Sequence, residues 1–273
     1  MSARLAATGG PAWSGGSATA HATCLLAPNP SVMTLDGTNT WLVGDPASGQ
    51  VVVVDPGPLG GGHGEAISEQ LAAWDARAGA ILLTHGHLDH SSGAAELARR
   101  LGCGVRALDP LHRLGGEGLV DGDVVALPGD VVLRVVATPG HSADSLSFLL
   151  EPDAALLTGD TVLGRGTTVV AHPDGRLRDY LASLERLRTL ALDVGAGHVL
   201  PGHGPAQDDP VGLLAAYLEH RAARLDQVRA AVAAGAETVE DVVAVVYADV
   251  PRAAWPAAAL SVAAQLAYLR GED

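Results

Sequence analysis

Short apolar runs alternate with segments of helical period from Thr40 to about Leu200. Residues 41–43 and the run Val51-Val52-Val53-Val54-Asp55 read as strands. Ile67, Leu71 and Trp74 recur at helical spacing and predict a helix over 65–78, followed by a buried strand over 81–84. A helix over 94–101 ends at Gly102. Two strands between Asp121 and Val136 meet at Pro128-Gly129-Asp130, and strands over 147–151 and 154–158 meet at Pro152-Asp153. A helix over 177–190 and a short strand over 198–200 complete the pattern. After Pro210 the chain becomes almost wholly helix-forming, with breaks at Gly235 and Pro251. The order predicts an α/β protein of layered sheets flanked by helices, in three parts. These are a loose Gly/Ala/Ser-rich arm over 1–20, a main domain over 21–210 and a helical domain over 211–273.

Composition narrows the classes. The 273 residues include 31 acids against 17 bases, a net charge of −14 that disfavours a DNA-coating role. No Lys occurs, so all 17 bases are Arg. The tail carries 5 Arg against 8 acids, which makes it no basic arm. No apolar run approaches the roughly 20 residues that span a bilayer, so no membrane partner is expected. The start shows no charged segment leading into an apolar one, and Cys24 and Cys103 form no C-x-x-C pair. A reducing cytoplasm is the expected location.

The chemistry concentrates in Thr84-His85-Gly86-His87-Leu88-Asp89-His90, at the exit of a predicted strand. Imidazole and carboxylate are zinc ligands, and this spacing can aim two ligand pairs at one cavity. Given 11 His in the chain, such a motif arises by chance on the order of once in a thousand such sequences. His141, Asp160 and His203 each follow an apolar strand, and each is preceded by a Gly that permits a tight turn. Gly-x-Ser-x-Gly is absent, which removes the main serine-hydrolase reading.

In this order of motifs the chain resembles the metallo-β-lactamase superfamily, whose fold is a four-layer αββα sandwich. The resemblance implies one zinc on His85, His87 and His141, and a second on Asp89, His90 and His203, with Asp160 and a hydroxide bridging them. Iron or manganese could stand in for zinc. Asp55 matches the carboxylate that steadies a ligand histidine from behind. Asp89 would orient the hydroxide and accept its proton, the catalytic role.

Pro28-Asn29-Pro30, 37–44, Gly164-Arg165-Gly166-Thr167-Thr168, 201–205 and His220-Arg221 resemble the branch typified by β-lactamase-like protein 2. That branch ends in a small winged-helix-like domain. Residues 238–269 resemble its helical part, and the wing itself is expected to be absent. Ser145 stands where some relatives have His.

A dinuclear zinc hydrolase cleaving phosphodiester (RNA-like) or (thio)ester bonds follows, on a small-molecule or short nucleic-acid substrate. The alternative is a thioesterase of the glyoxalase II or polyketide type, and, from another class, a zinc-binding scaffold without turnover. Asp160 as a bridge argues against β-lactam turnover. His87, where di-iron redox relatives have Glu, argues against oxygen chemistry. Arg165, His220 and Arg221 are the expected substrate-binding cations, with Arg221 midway along the apolar stripe Leu214, Leu218, Leu225, Val228 and Val232. The helix that carries them is expected to cover the metal cleft. His21, His63, His112 and His172 read as surface residues and His198 as a packed one.

Overall fold

The computed structural model describes residues 12–272. Its first sheet runs in the order β1 (Gly16–Ser17), β2 (Ala22–Leu26), β3 (Asn39–Val43), β4 (Gln50–Val54), β5 (Arg77–Leu82) and β6 (Gly104–Arg106). The second holds β7 (Val124–Leu127), β8 (Val131–Ala137), β9 (Leu146–Leu150), β10 (Ala155–Gly159) and β11 (His198–Pro201), ordered β11-β10-β9-β8-β7. Helices α1 (His63–Ala73), the single turn α2 (Leu88–Ser91), α3 (Ala94–Leu101) and α4 (Leu177–Val194) lie among them. Three long-connection pairs, β4–β5, β5–β6 and β10–β11, are parallel, and each needs a crossover. α1, α3 and α4 supply these crossovers.

The valine run shows why two layers of sheet are buried. Val52 and Val54 face the core between the sheets with Trp41, Leu133, Phe148 and Leu157. Val51 and Val53, pointing the other way at period two, pack under α1 and α3 with Ile67, Leu71 and Leu97. On the far side Leu149 and Leu156 of the second sheet meet Leu184 and Leu187 of α4. The layers are therefore helix, sheet, sheet, helix, the architecture expected from the pattern.

Differences from the sequence pattern cluster at element ends and sheet edges. The first helix stops at Ala73 rather than 78, because Asp75 turns the chain at φ 52° and Arg77 already begins β5. β2 and β6, short strands without clear alternation, were not expected. Within the expected loose arm, Trp13 Nε1 donates to Asn39 Oδ1 at 2.7 Å, and Gly16 and Ser17 pair with Cys24 and Thr23. A two-residue strand has no period to read. Residues 1–11 lie outside the described residues.

The tail forms α5 (Pro210–Ala233), α6 (Val239–Val246) and α7 (Trp255–Arg270). Thr238 starts α6 in a reciprocal capping box with Asp241. Residue 210 is not a clean boundary between packing units. Leu213, Leu214, Tyr217 and Leu225 of α5 join the layer of α4, and only Val228 and Ala231 pass into the cluster shared with α6 and α7. Among the described residues no helix is long and apolar enough to cross a membrane.

Candidate metal centre

Residues at the carboxyl ends of β4, β5, β10 and β11, and the turn after β8, converge on one cleft. His85, His87 and His141 form one group of ligand atoms, and Asp89, His90 and His203 another. His85 Nε2 and His141 Nε2 each lie 3.0 Å from His87 Nδ1. His90 Nε2 and His203 Nε2 are 3.2 Å apart, and Asp89 Oδ2 lies 3.2 Å from His203 Nε2. Asp160 stands between the groups, with Oδ1 3.5 Å from His90 Nε2 and Oδ2 3.7 Å from His141 Nε2 and 3.4 Å from His203 Nε2. All seven expected ligands are brought together.

The outer nitrogens fix which atoms face inward. His90 Nδ1 meets Asp55 Oδ2 at 2.9 Å, His141 Nδ1 donates to the Val169 carbonyl at 2.7 Å, and His203 Nδ1 donates to the Gly37 carbonyl at 3.1 Å. A proton held on each outer nitrogen leaves the inner nitrogen with a free lone pair, the form that ligates a metal. Asp55 takes a left-handed φ of 51°, a conformation costing a non-glycine residue about 1–2 kcal/mol. The turn is held by hydrogen bonds from Thr84 N to Oδ1 (2.8 Å) and Thr84 Oγ1 to Oδ2 (2.7 Å). That leaves Oδ2 aimed at His90. Close approach also matters at Gly202, where a Cβ would fall 2.4 Å from Asp160 Oδ1 and 2.8 Å from His90 Cε1.

The donor set fits metal. Asp160 Oδ1 is buried without a hydrogen-bond partner, with His90 Nε2 3.5 Å away. Burial alone would disfavour charge on His203, yet the Asp160 carboxylate outweighs it and raises the pKa to about 9. His90, fully enclosed, is also held well above the usual range, its burial overcome by Asp160 and Asp55. His85 is pushed well down by burial and by the neighbouring imidazoles. A cleft whose ligands hold protons this unevenly is one where a divalent cation replaces protons.

The second layer contains residues to which the sequence assigned no individual role. Asn39 Nδ2 donates to the carbonyls of Pro201 (2.9 Å) and Gly204 (2.8 Å), and Trp41 Nε1 donates to Pro201 (3.0 Å), so β3 pins the His203 loop. Thr168 Oγ1 lies 3.2 Å from His141 Nδ1. Carbonyl acceptors such as Val169 and Gly37 carry no side-chain signal to read. His63, expected at the surface, is 3% exposed and paired with Thr40 Oγ1 at 2.7 Å, and burial lowers its pKa to about 4. Ser145 is buried and paired with Ser142.

The expected substrate cations do not gather at the metal groups. Arg165 is ion-paired to Asp36 at 2.6 Å, in the loop whose Gly164 N donates to the His203 carbonyl. His220 is partly buried with its Nδ1 unpartnered, and burial first, then Arg221 and Arg224, lower its pKa to about 4. Arg221 is only 6% exposed, donates to the Thr168 carbonyl at 2.6 Å and lies over the Tyr180 ring. An arginine enclosed in the packing face of α5 needs an acceptor; the Thr168 carbonyl takes one Nη, while Nε has no hydrogen-bond partner. The link after His203 folds back along β11 through the Val199–Gln207 bridge. α5 packs against the 163–168 segment, where Tyr217 Oη accepts from Leu163 N and Arg221 donates to Thr168. Arg221→Ala should therefore weaken metal binding about tenfold, by loosening the segment that orients His141. Chelator competition measures this, and unchanged affinity would contradict it.

Residues 33–203 match the family model of the metallo-beta-lactamase superfamily. The chain belongs to that superfamily. Its members are metal-dependent hydrolases, and this chain is one of their fold and class. Residues 238–273 match the beta-lactamase associated winged helix domain. α5 lies between the two matched regions. A beta-lactamase-like protein 2 homolog of Caenorhabditis elegans is 35% identical over 84% of this chain and 77% of its own length. An atrochrysone carboxyl ACP thioesterase of Aspergillus fumigatus is 38% identical over 66% of this chain and 55% of its own. A beta-lactamase domain protein of Burkholderia ambifaria shares the fold, with a TM-score of 0.78 and 24% identity over 98% of this chain and 91% of that one.

Proposed function

We propose that this chain is a dinuclear zinc hydrolase of thioester or ester bonds in small substrates. The observation that carries the hydrolytic reading is the pair of His/Asp groups with Asp160 between them, its Oδ1 buried without a hydrogen-bond partner. His85, His87 and His141 would hold one ion, and Asp89, His90 and His203 the other, with Asp160 between them. When bound, the ions lower the pKa of an attacking water and polarise the scissile carbonyl oxygen.

The chain's own residues do the rest. Asp89, with a side chain 31% exposed against 11% for Asp160, would orient the attacking water and take its proton. Asp55 and Val169 keep His90 and His141 in the ligating tautomer. Arg165, with a side chain 27% exposed beside the His203 loop, is the candidate for an anionic part of the substrate. Of the other two expected cations, His220 borders a cavity between the 166–169 segment and the tail helices, and Arg221 supports that segment.

A net charge of −14 and the similarity to a thioesterase support a small acyl substrate over a long polyanion. The winged-helix match favours short phosphodiesters as the second reading. The zinc-loaded protein, given an acyl-N-acetylcysteamine, a lactone, a bis-aryl phosphate and nitrocefin, should turn over the thioester at least about tenfold faster than any other, a difference of about 1.4 kcal/mol in barrier. Faster phosphate cleavage would transfer the assignment to the second reading. No turnover of any substrate by the loaded protein would make it a scaffold.

A further inference from the structure

Outside the cleft, Asp109, His112 and Asp144 bring three more ligand atoms within 4.8 Å of one another. Two elements distant in sequence supply them. Asp109 and His112 bracket the single turn after β6, and Asp144 lies in the loop that follows His141. Each carboxylate has one oxygen already held by the protein. Asp109 Oδ1 accepts from Leu111 N at 2.9 Å, and Asp144 Oδ1 accepts from Ser142 Oγ at 2.7 Å. The second oxygen of each is left for another partner. Among the described residues neither carboxylate is ion-paired to an arginine. Arg113, next in the chain, spends its guanidinium on the carbonyls of Ala107 and Leu108.

The cluster sits against Gly86, the residue between His85 and His87. A Cβ there would lie 2.3 Å from His112 Nε2 and 3.1 Å from Asp144 Oδ2, so both groups rest on the bare glycine. Two carboxylates held this close repel unless a cation lies between them. One imidazole and two carboxylates, half-exposed so that waters can complete the shell, suit zinc or manganese.

We propose that Asp109, His112 and Asp144 form a third divalent-metal site, at the rim of the cleft and separate from the seven residues within it. A zinc or manganese ion there ties the 109–112 turn to the loop after His141 and, across Gly86, braces the backbone between two of the cleft histidines. The ion is more weakly held than those in the cleft, because three half-exposed ligands replace buried ones.

The test is a manganese titration of the zinc-loaded protein, followed by electron paramagnetic resonance of free manganese. One manganese should bind per chain, and His112→Ala and Asp109→Asn should each weaken it at least about tenfold while the zinc content is retained. Asparagine still accepts from Leu111 N, so the turn survives in that variant. Manganese should raise the melting temperature of the wild type and leave that of His112→Ala unmoved. No manganese uptake by the wild type, or equal uptake by His112→Ala, would overturn the third site. Loss of the zinc ions themselves would instead count against the dinuclear centre, so the two ideas fail separately.

Discussion

Asp160→Asn should lower kcat/KM at least about 10³-fold, because losing several kcal/mol of metal-centred charge stabilisation reaches about 4 kcal/mol in barrier. The side chain keeps its shape and loses its charge. Asp160 counters burial at both His203 and, with Asp55, His90, so its neutralisation weakens what holds those imidazoles charged in the metal-free protein. Two observables follow. Metal analysis should show fewer than two ions retained after dialysis, and the His203 resonance of the metal-free variant should titrate below the value of about 9 held in the wild type. Asp193→Asn, at an exposed position on α4, serves as the control and should change neither. Equal losses in the two variants would remove the case for a bridging carboxylate.

Asp55→Asn should have an effect nearly as large without touching the cleft. The carboxylate accepts three hydrogen bonds, from Thr84 N, Thr84 Oγ1 and His90 Nδ1. Asparagine has one acceptor oxygen and an amide that must donate. With its oxygen kept on Thr84 N, the amide faces His90 Nδ1 and turns that nitrogen into an acceptor. The proton then moves to Nε2, the atom that faces the cleft, and the ring can no longer ligate. A wrong tautomer of this kind costs a catalytic histidine about 10⁴-fold, and loss of an outer partner to a metal ligand costs about 10–100-fold in affinity. The expected result is a fall in kcat/KM between those limits with circular dichroism unchanged. Retention of metal affinity and rate within twofold would show that Asp55 only fastens Thr84.

The seven proposed ligands stood out because metal chemistry restricts residue type and because each follows a strand that announces itself by apolar content. Val51–Val54 and the β10 run could be read for the same reason: strands enclosed on both faces stay apolar throughout. The tail helices and their breaks at Gly235 and Pro251 were equally local signals. Even Arg221 was visible as an anomaly on an apolar stripe, although its acceptor was not.

What the tertiary structure alone decided was partnership across long stretches of chain. The Thr168 carbonyl meets Arg221 from 53 residues away, and the Gly37 carbonyl meets His203 from 166. A backbone acceptor looks the same at every position of a sequence, so nothing marks these two until the sheets are stacked. His63 reads as a polar loop residue until β3 delivers Thr40 to it, 23 positions distant, and encloses it. His112 likewise reads as a surface residue until the turn after β6 and the loop carrying Asp144 are laid against the same glycine. Periodicity and residue chemistry report what a segment needs, burial or a metal. Which distant group meets that need is fixed by register and layer packing, which no local window contains.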